Sequence, residues 1–138
     1  MNSIPGIIHS VIEDDLFVKI DISSNNNSFS ACILHSDNNF PYYQIGSPVT
    51  MVFKEADTMV SIHNDPLISC RNRFLSKVIS VTSGAIMTRI VARYDSFTIV
   101  SLVTTVSAEK LSLCPGKEIV CMVKSTSIML ATVEQIHS

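Results

Sequence analysis

The chain has 138 residues, 46% hydrophobic and 16% charged, with a net charge of −2, enough for one ordinary domain or two very small ones. No apolar run approaches the roughly 18 residues needed to cross a bilayer, and the start MNSIPGIIHSVIEDD has no basic leader, so membrane insertion and secretion are not expected. The four cysteines (Cys32, Cys70, Cys114, Cys121) form no C-x-x-C pair; they read as small apolar fillers in a reducing, cytoplasmic compartment and not as a disulfide frame or zinc site.

In chain order, the first landmark is SSNNNS at 23–28, which predicts an exposed hairpin tip, longer than its counterpart near Asp95. The segment SDNNFPYYQ at 36–44 carries a proline and asparagines that argue against a regular helix. A break at HNDP, 63–66, divides a first module (1–65) from a second (66–138). The second module then shows five short β-rich runs: 74–82 (FLSKVISVT), 86–93 (IMTRIVAR), 97–104 (FTIVSLVT), 117–124 (KEIVCMVK) and 127–133 (SIMLATV). In IMTRIVAR, Met87, Arg89, Val91 and Arg93 share one face and Ile86, Thr88, Ile90 and Ala92 the other, the pattern of a half-buried strand. Residues 105–113 (TVSAEKLSL) predict a short helix, capped by a threonine and stopped by Pro115-Gly116. Five strands with one helix after the third outline an OB-type barrel.

The first half repeats this layout. A shift of 70 positions aligns Asn2 with Asn72, Ser10 with Ser80, Val11 with Val81, Ile20 with Ile90, Gly46 with Gly116, Lys54 with Lys124 and Met59 with Met129. Seven identities are a modest number; the register of the strand-like runs, the turn glycine and the lysine carries more weight. The expected fold is therefore mainly all-β, two tandem OB-type five-stranded barrel modules with a short helix in the second. Charge divides along the same line. Residues 1–66 hold two lysines against eight acids (−6), and residues 67–138 hold eight basic residues against four acids (+4). Two lobes of opposite sign attract each other, and the basic one suits an anionic ligand.

The stretch ISCRNRF at 68–74 concentrates two of the ten basic residues. A tetrahedral oxyanion offers only acceptors, so a site that removes it from water must supply many donors and positive charge. Ser69, Arg71 and Asn72 meet that need. So do Lys124 and Ser125 in the run Lys124-Ser125-Thr126-Ser127. Thr104, Thr105 and Ser107 sit at the start of the expected helix, where free N–H groups favour an anion. Each cluster alone is more commonly a solvated polar turn; their combination argues for oxyanion binding.

Ser69-Cys70-Arg71-Asn72, followed by a strand, resembles the Ser-Ala-Arg-Asn opening of the Mop, or TOBE, module of the molbindins. The resemblance continues through GAIM (84–87), Val103-Thr104, SAEKLSL (107–113), PGKEI (115–119) and VKSTSIML (123–130). In the first half, IPGII (4–8) resembles the start of the second module in the regulatory domain of molybdate-responsive repressors. The whole chain resembles a tandem di-Mop protein without an attached DNA-binding or ATPase domain. This resemblance implies intracellular binding of molybdate or tungstate for storage or homeostasis, by a homo-oligomer, trimer or dimer, that holds the oxyanion between subunits. It assigns Ser69, Arg71, Asn72, Thr104, Ser107, Lys124 and Ser125 to the pocket, some from a neighbouring chain, with no metal ligated directly by side chains and no organic cofactor. Cys70 departs from the family alanine, and direct ligation by its thiol is not expected.

The first half departs further. Glu55-Ala56-Asp57 follows Lys54 where Ser125-Thr126-Ser127 follows Lys124, Leu34 stands for Thr104 and Asp37 for Ser107. Carboxylates there would repel a dianion, so no equivalent site is expected from that module alone. The alternative reading is an oxyanion-sensing regulatory module with a protein partner in molybdate transport or regulation. Nucleic-acid binding is not expected, because no tryptophan occurs and the second half offers only Phe74, Tyr94 and Phe97 as platforms. Nor is catalysis expected: His9, His35, His63 and His137 are scattered, and four glycines include no phosphate loop.

Overall fold

The computed structural model describes residues 1–35 and 43–132. The expectations placed on residues 36–42, Asp37 among them, on Val133 and on His137 lie outside the described residues. The first half supplies β1 (Asn2–Glu13), β2 (Phe17–Ser24), β3 (Asn27–Leu34), β4 (Pro48–Phe53) and β5 (Met59–Ser61). The second supplies β6 (Asn72–Ser83), β7 (Met87–Tyr94), β8 (Phe97–Thr104), helix α1 (Thr105–Lys110), β9 (Glu118–Val123) and β10 (Met129–Thr132). All strand pairs are antiparallel. The chain is mainly β, with two five-stranded sheets and a short helix in its second half, as the sequence predicts.

The repeat of 70 is visible in detail. A β-bulge interrupts β1 between Ile8 and Ser10, and another interrupts β6 between Val78 and Ser80. Asn25 and Asp95 adopt φ of 50° and 52°, and Gly46 and Gly116 adopt 92° and 91°, a conformation that favours glycine. The two hairpin tips have equal length, since Ser24 pairs with Asn27 as Tyr94 pairs with Phe97; the longer turn expected at 23–28 does not form. These tips meet each other. Asn25 Nδ2 donates to Asp95 Oδ2 at 2.7 Å, and Asn27 Nδ2 donates to the Tyr94 hydroxyl at 3.0 Å.

The pairing order differs from two separate barrels in tandem. The sheets run β10-β4-β1-β2-β3 and β5-β9-β6-β7-β8, so each half gives its fifth strand to the other. The run at 127–133, expected to finish the second barrel, instead sets Leu130 opposite Met51 and Ala131 opposite Thr50. Local pattern cannot distinguish these outcomes, because a short apolar strand pairs equally well with either β4 or β9.

The core is continuous across both halves. Ile4, Val18, Ile20, Phe29 and Phe53 pack in one cluster with Phe74, Ile90, Ile99, Cys121 and Val123. At its centre Phe74 is fully buried, stacked on Phe29 (centroids 4.4 Å apart) and Phe53 (5.5 Å), with Tyr94 edge-on at 5.1 Å. In β7, Thr88, Ile90, Ala92 and Tyr94 are buried while Met87, Arg89 and Arg93 are exposed, as alternation predicts.

Two asparagine side chains fasten the halves. Asn72 is fully buried; its Oδ1 accepts from the Ser30 N–H at 2.7 Å and its Nδ2 donates to the Ser30 carbonyl at 2.9 Å. Seventy residues earlier, Asn2 does the same to Val100, accepting from its N–H at 2.7 Å and donating to its carbonyl at 2.8 Å. Each amide thus behaves as one extra peptide unit on the facing strand.

Helix α1 begins as predicted, with the Thr104 hydroxyl accepting from the Ser107 N–H at 3.2 Å. It ends earlier than predicted. Ser112 takes φ of 51°, Leu113 N–H reaches the Ala108 carbonyl and Ser112 N–H the Glu109 carbonyl, a Schellman motif that terminates the helix before Pro115-Gly116. Lys117 Nζ then donates to the Leu111 carbonyl at 2.6 Å.

Replacing Asn72 by alanine strands a buried N–H and carbonyl on Ser30, so the variant should lose about 2–4 kcal/mol of unfolding free energy. Asn2→Ala should lose a similar amount, and urea denaturation of both variants beside the parent is the check.

Candidate oxyanion site

Of the two arginines in ISCRNRF, the structure gives them different work. Arg73 folds back on the preceding loop, donating from Nε to the Cys70 carbonyl (2.8 Å), from Nη2 to the Ile68 carbonyl (3.1 Å) and from Nη1 to Asn64 Oδ1 (2.9 Å). It shapes the segment that displays Ser69 and Arg71, both exposed. Nothing in the sequence separates these arginines by role; their placement does, since Arg71 precedes β6 and Arg73 lies within it.

Asn72 is opposite Val123 across β6 and β9, and Arg71 and Lys124 are the next residues beyond that pair on the two sides of the ladder. Lys124 is exposed, and Ser125 opens a 3-10 turn, Ser125–Ser127. Among the described residues, neither Arg71 nor Lys124 has a carboxylate oxygen within 4.0 Å. Ser125 Oγ lies 2.6 Å from Ser30 Oγ on β3. Four of the seven candidate residues, Ser69, Arg71, Lys124 and Ser125, therefore gather at one end of the molecule. Asn72 stands directly behind them, fully buried, with its amide hydrogen-bonded to Ser30. Among the described residues, this end presents two cations and hydroxyl donors with no carboxylate oxygen within 4.0 Å of either cation, a donor set of the kind an acceptor-only anion requires.

Thr104 and Ser107 lie elsewhere. With Lys110 they line a recess of about 450 Å³ whose far wall is Ala56, Thr58 and Met59 from the first half. Thr104 Oγ1 also donates to Ser107 Oγ at 2.9 Å. The separation follows from the strand exchange. The turn after β9 leads into β10 and onto the first sheet, whereas the turn after β4, Glu55–Asp57, leads into β5 and onto the second. Within one chain, then, Thr104 and Ser107 face the acidic turn, and the Lys124 turn faces Leu34 across a recess of about 650 Å³ also lined by Phe17, Ile128 and Met129.

The acidic turn is closed by partners of its own. Glu55 Oε1 lies 3.6 Å from Arg89 Nε, a partly exposed pair of small energetic weight. Thr58 Oγ1 donates to the Lys54 carbonyl at 2.9 Å and accepts from Asn2 Nδ2 at 3.2 Å. Among the described residues, no group of three His, Cys, Asp or Glu side chains could hold a metal ion.

Cys70 is buried, and its thiol is directed at the carbonyls of Val123 (3.3 Å) and Asn72 (3.6 Å), inward and away from Arg71. Burial also pushes the Cys121 thiol up to about 11. Cys114 is exposed. Alkylation of the native protein near pH 8, mapped by mass spectrometry, should modify Cys114 first and spare Cys70 and Cys121 until the protein unfolds.

Residues 68–130 match the sequence pattern of the TOBE domain. No curated protein matches the chain. Among solved structures, a molybdate-bound crystal form of ModG, described as a cytoplasmic molybdate-binding protein, superposes with a TM-score of 0.88 over 95% of both chains at 19% identity. That likeness establishes the fold over nearly the full length. A molybdate-binding protein from Sporomusa ovata is 31% identical over 47% of this chain and 97% of its own, with a TM-score of 0.47. With the family pattern over residues 68–130, the second half of the chain belongs to the TOBE-domain family, and the first half repeats its five-strand layout.

Proposed function

We propose that this protein binds molybdate or tungstate reversibly and serves as an intracellular store or buffer of the oxyanion. The observation that carries the reading is the end of the β6–β9 ladder, where exposed Arg71 and Lys124 follow the Asn72–Val123 pair, neither with a carboxylate oxygen within 4.0 Å among the described residues, and Ser69 and Ser125 add hydroxyl donors. A doubly charged tetrahedral anion supplies the acceptors this arrangement lacks. The family assignment and the molybdate-bound relative of the same fold support this choice of anion.

In this proposal Ser69, Arg71, Lys124 and Ser125 contact the anion and Asn72 holds the framework behind them. Thr104 and Ser107, which face the other turn within their own chain, join a site only when a second copy brings them there. The protein then works as a homo-oligomer with oxyanions at subunit interfaces. Binding requires no chemical step, and affinity follows the number of matched donors. The description of the full-length structural relative as a cytoplasmic protein supports the same compartment here.

Calorimetric titration should show tight binding of molybdate and tungstate and much weaker binding of sulfate. The Arg71→Ala/Lys124→Ala double variant loses two charge-assisted contacts, about 3–6 kcal/mol together, and its affinity should fall at least a hundredfold. Unaltered binding by that variant would remove this end of the ladder from the site.

A further inference from the structure

We infer that Ser30, supplied by the first half of the chain, is a positioning residue for the donor Ser125, so that the anion site of the second half is built across both modules. The inference rests on the proposed function. Ser30 is 6% exposed, too enclosed to contact an anion itself. Its backbone is pinned from both sides by the Asn72 amide, at 2.7 and 2.9 Å, and its hydroxyl lies 2.6 Å from the Ser125 hydroxyl.

Between two hydroxyls this close, one donates and the other accepts. When Ser30 donates, the Ser125 oxygen is satisfied from behind and its own proton turns outward. An acceptor-only anion beside Lys124 selects that polarity, because the reverse would point Ser125 lone pairs at it. A hydroxyl fixed in this way keeps its donor direction before the ligand arrives, which reduces the ordering cost of binding.

The other end of the molecule supplies an internal comparison. There the Asn2 clamp is retained on Val100 at nearly the same distances, so the clamp belongs to the fold. Yet Val100 has no hydroxyl, and Glu55 stands where Ser125 stands in the second half. Among the described residues, this hydroxyl pair stands at the end where Arg71 and Lys124 have no carboxylate oxygen within 4.0 Å. A packing role would be served equally by both ends; a role in presenting a donor is needed at one.

The test is a double-mutant cycle read by calorimetric titration with molybdate, on the parent, Ser30→Ala, Ser125→Ala and the double variant, with thermal melts to confirm folding. Ser30→Ala should weaken molybdate binding about tenfold, and the double variant should bind no more weakly than Ser125→Ala alone, since Ser30 acts through Ser125. Ser30→Cys, nearly isosteric but a weak donor, should show the same loss, and it serves if the alanine variant does not fold. Parent-like binding by the Ser30 variants, or losses that multiply in the double variant, would overturn the positioning role and leave the proposed function standing. Failure of the parent to bind molybdate would instead remove the proposed function and this inference with it.

Discussion

Neither half of this chain owns a complete sheet. β10 pairs with β4 and β5 pairs with β9, and each exchanged strand covers an edge that would otherwise expose unpaired N–H and carbonyl groups. Other features of the fold serve that exchange. The amides of Asn2 and Asn72 extend it sideways, each borrowing the backbone of a strand in the opposite sheet. Phe74, Phe29, Phe53 and Tyr94 fill the shared centre with rings drawn from both halves. A module of this length buries little surface by itself; two such modules that trade strands bury it as one core.

The same exchange distributes the chemistry. The turns that follow β4 and β9 occupy corresponding places at opposite ends, yet one reads Lys-Glu-Ala-Asp and the other Lys-Ser-Thr-Ser. The framework occurs twice, with cations and hydroxyls at one end and, at the other, carboxylates of which Glu55 is answered by Arg89. The opposite charges of the two halves, −6 and +4, include this difference between the two turns. Under the proposed function, a dianion meets repulsion at one end and donors at the other.

Much of this was legible before any coordinates. Alternation in IMTRIVAR predicted the buried and exposed faces of β7, the threonine before α1 predicted its cap, and the shift of 70 predicted matching strands and turn glycines. Features that depend on distant partners were not legible. Strand 10 has the same letters whichever sheet it joins. The Asn2–Asn72 identity was visible at the repeat offset, but its meaning as a clamp requires knowing that β3 and β8 face it. The bond between the Asn72 amide and Ser30 was therefore not legible, and Ser30, in a plain β-run, carried no signal. Helix α1 ended early because a serine adopted a left-handed conformation, which sequence rules assign first to glycine or asparagine.

The exchanged strand also orders events in time. Leu130 pairs with Met51, 79 positions earlier, so during synthesis the first sheet must wait for nearly the whole second module before its outer edge is closed. Until then β4 presents an open ladder beside an incomplete core, and such non-local pairings form slowly because loop closure precedes any reward. On the ribosome, therefore, the two halves cannot mature one after the other as beads on a string; the first becomes native only with the second.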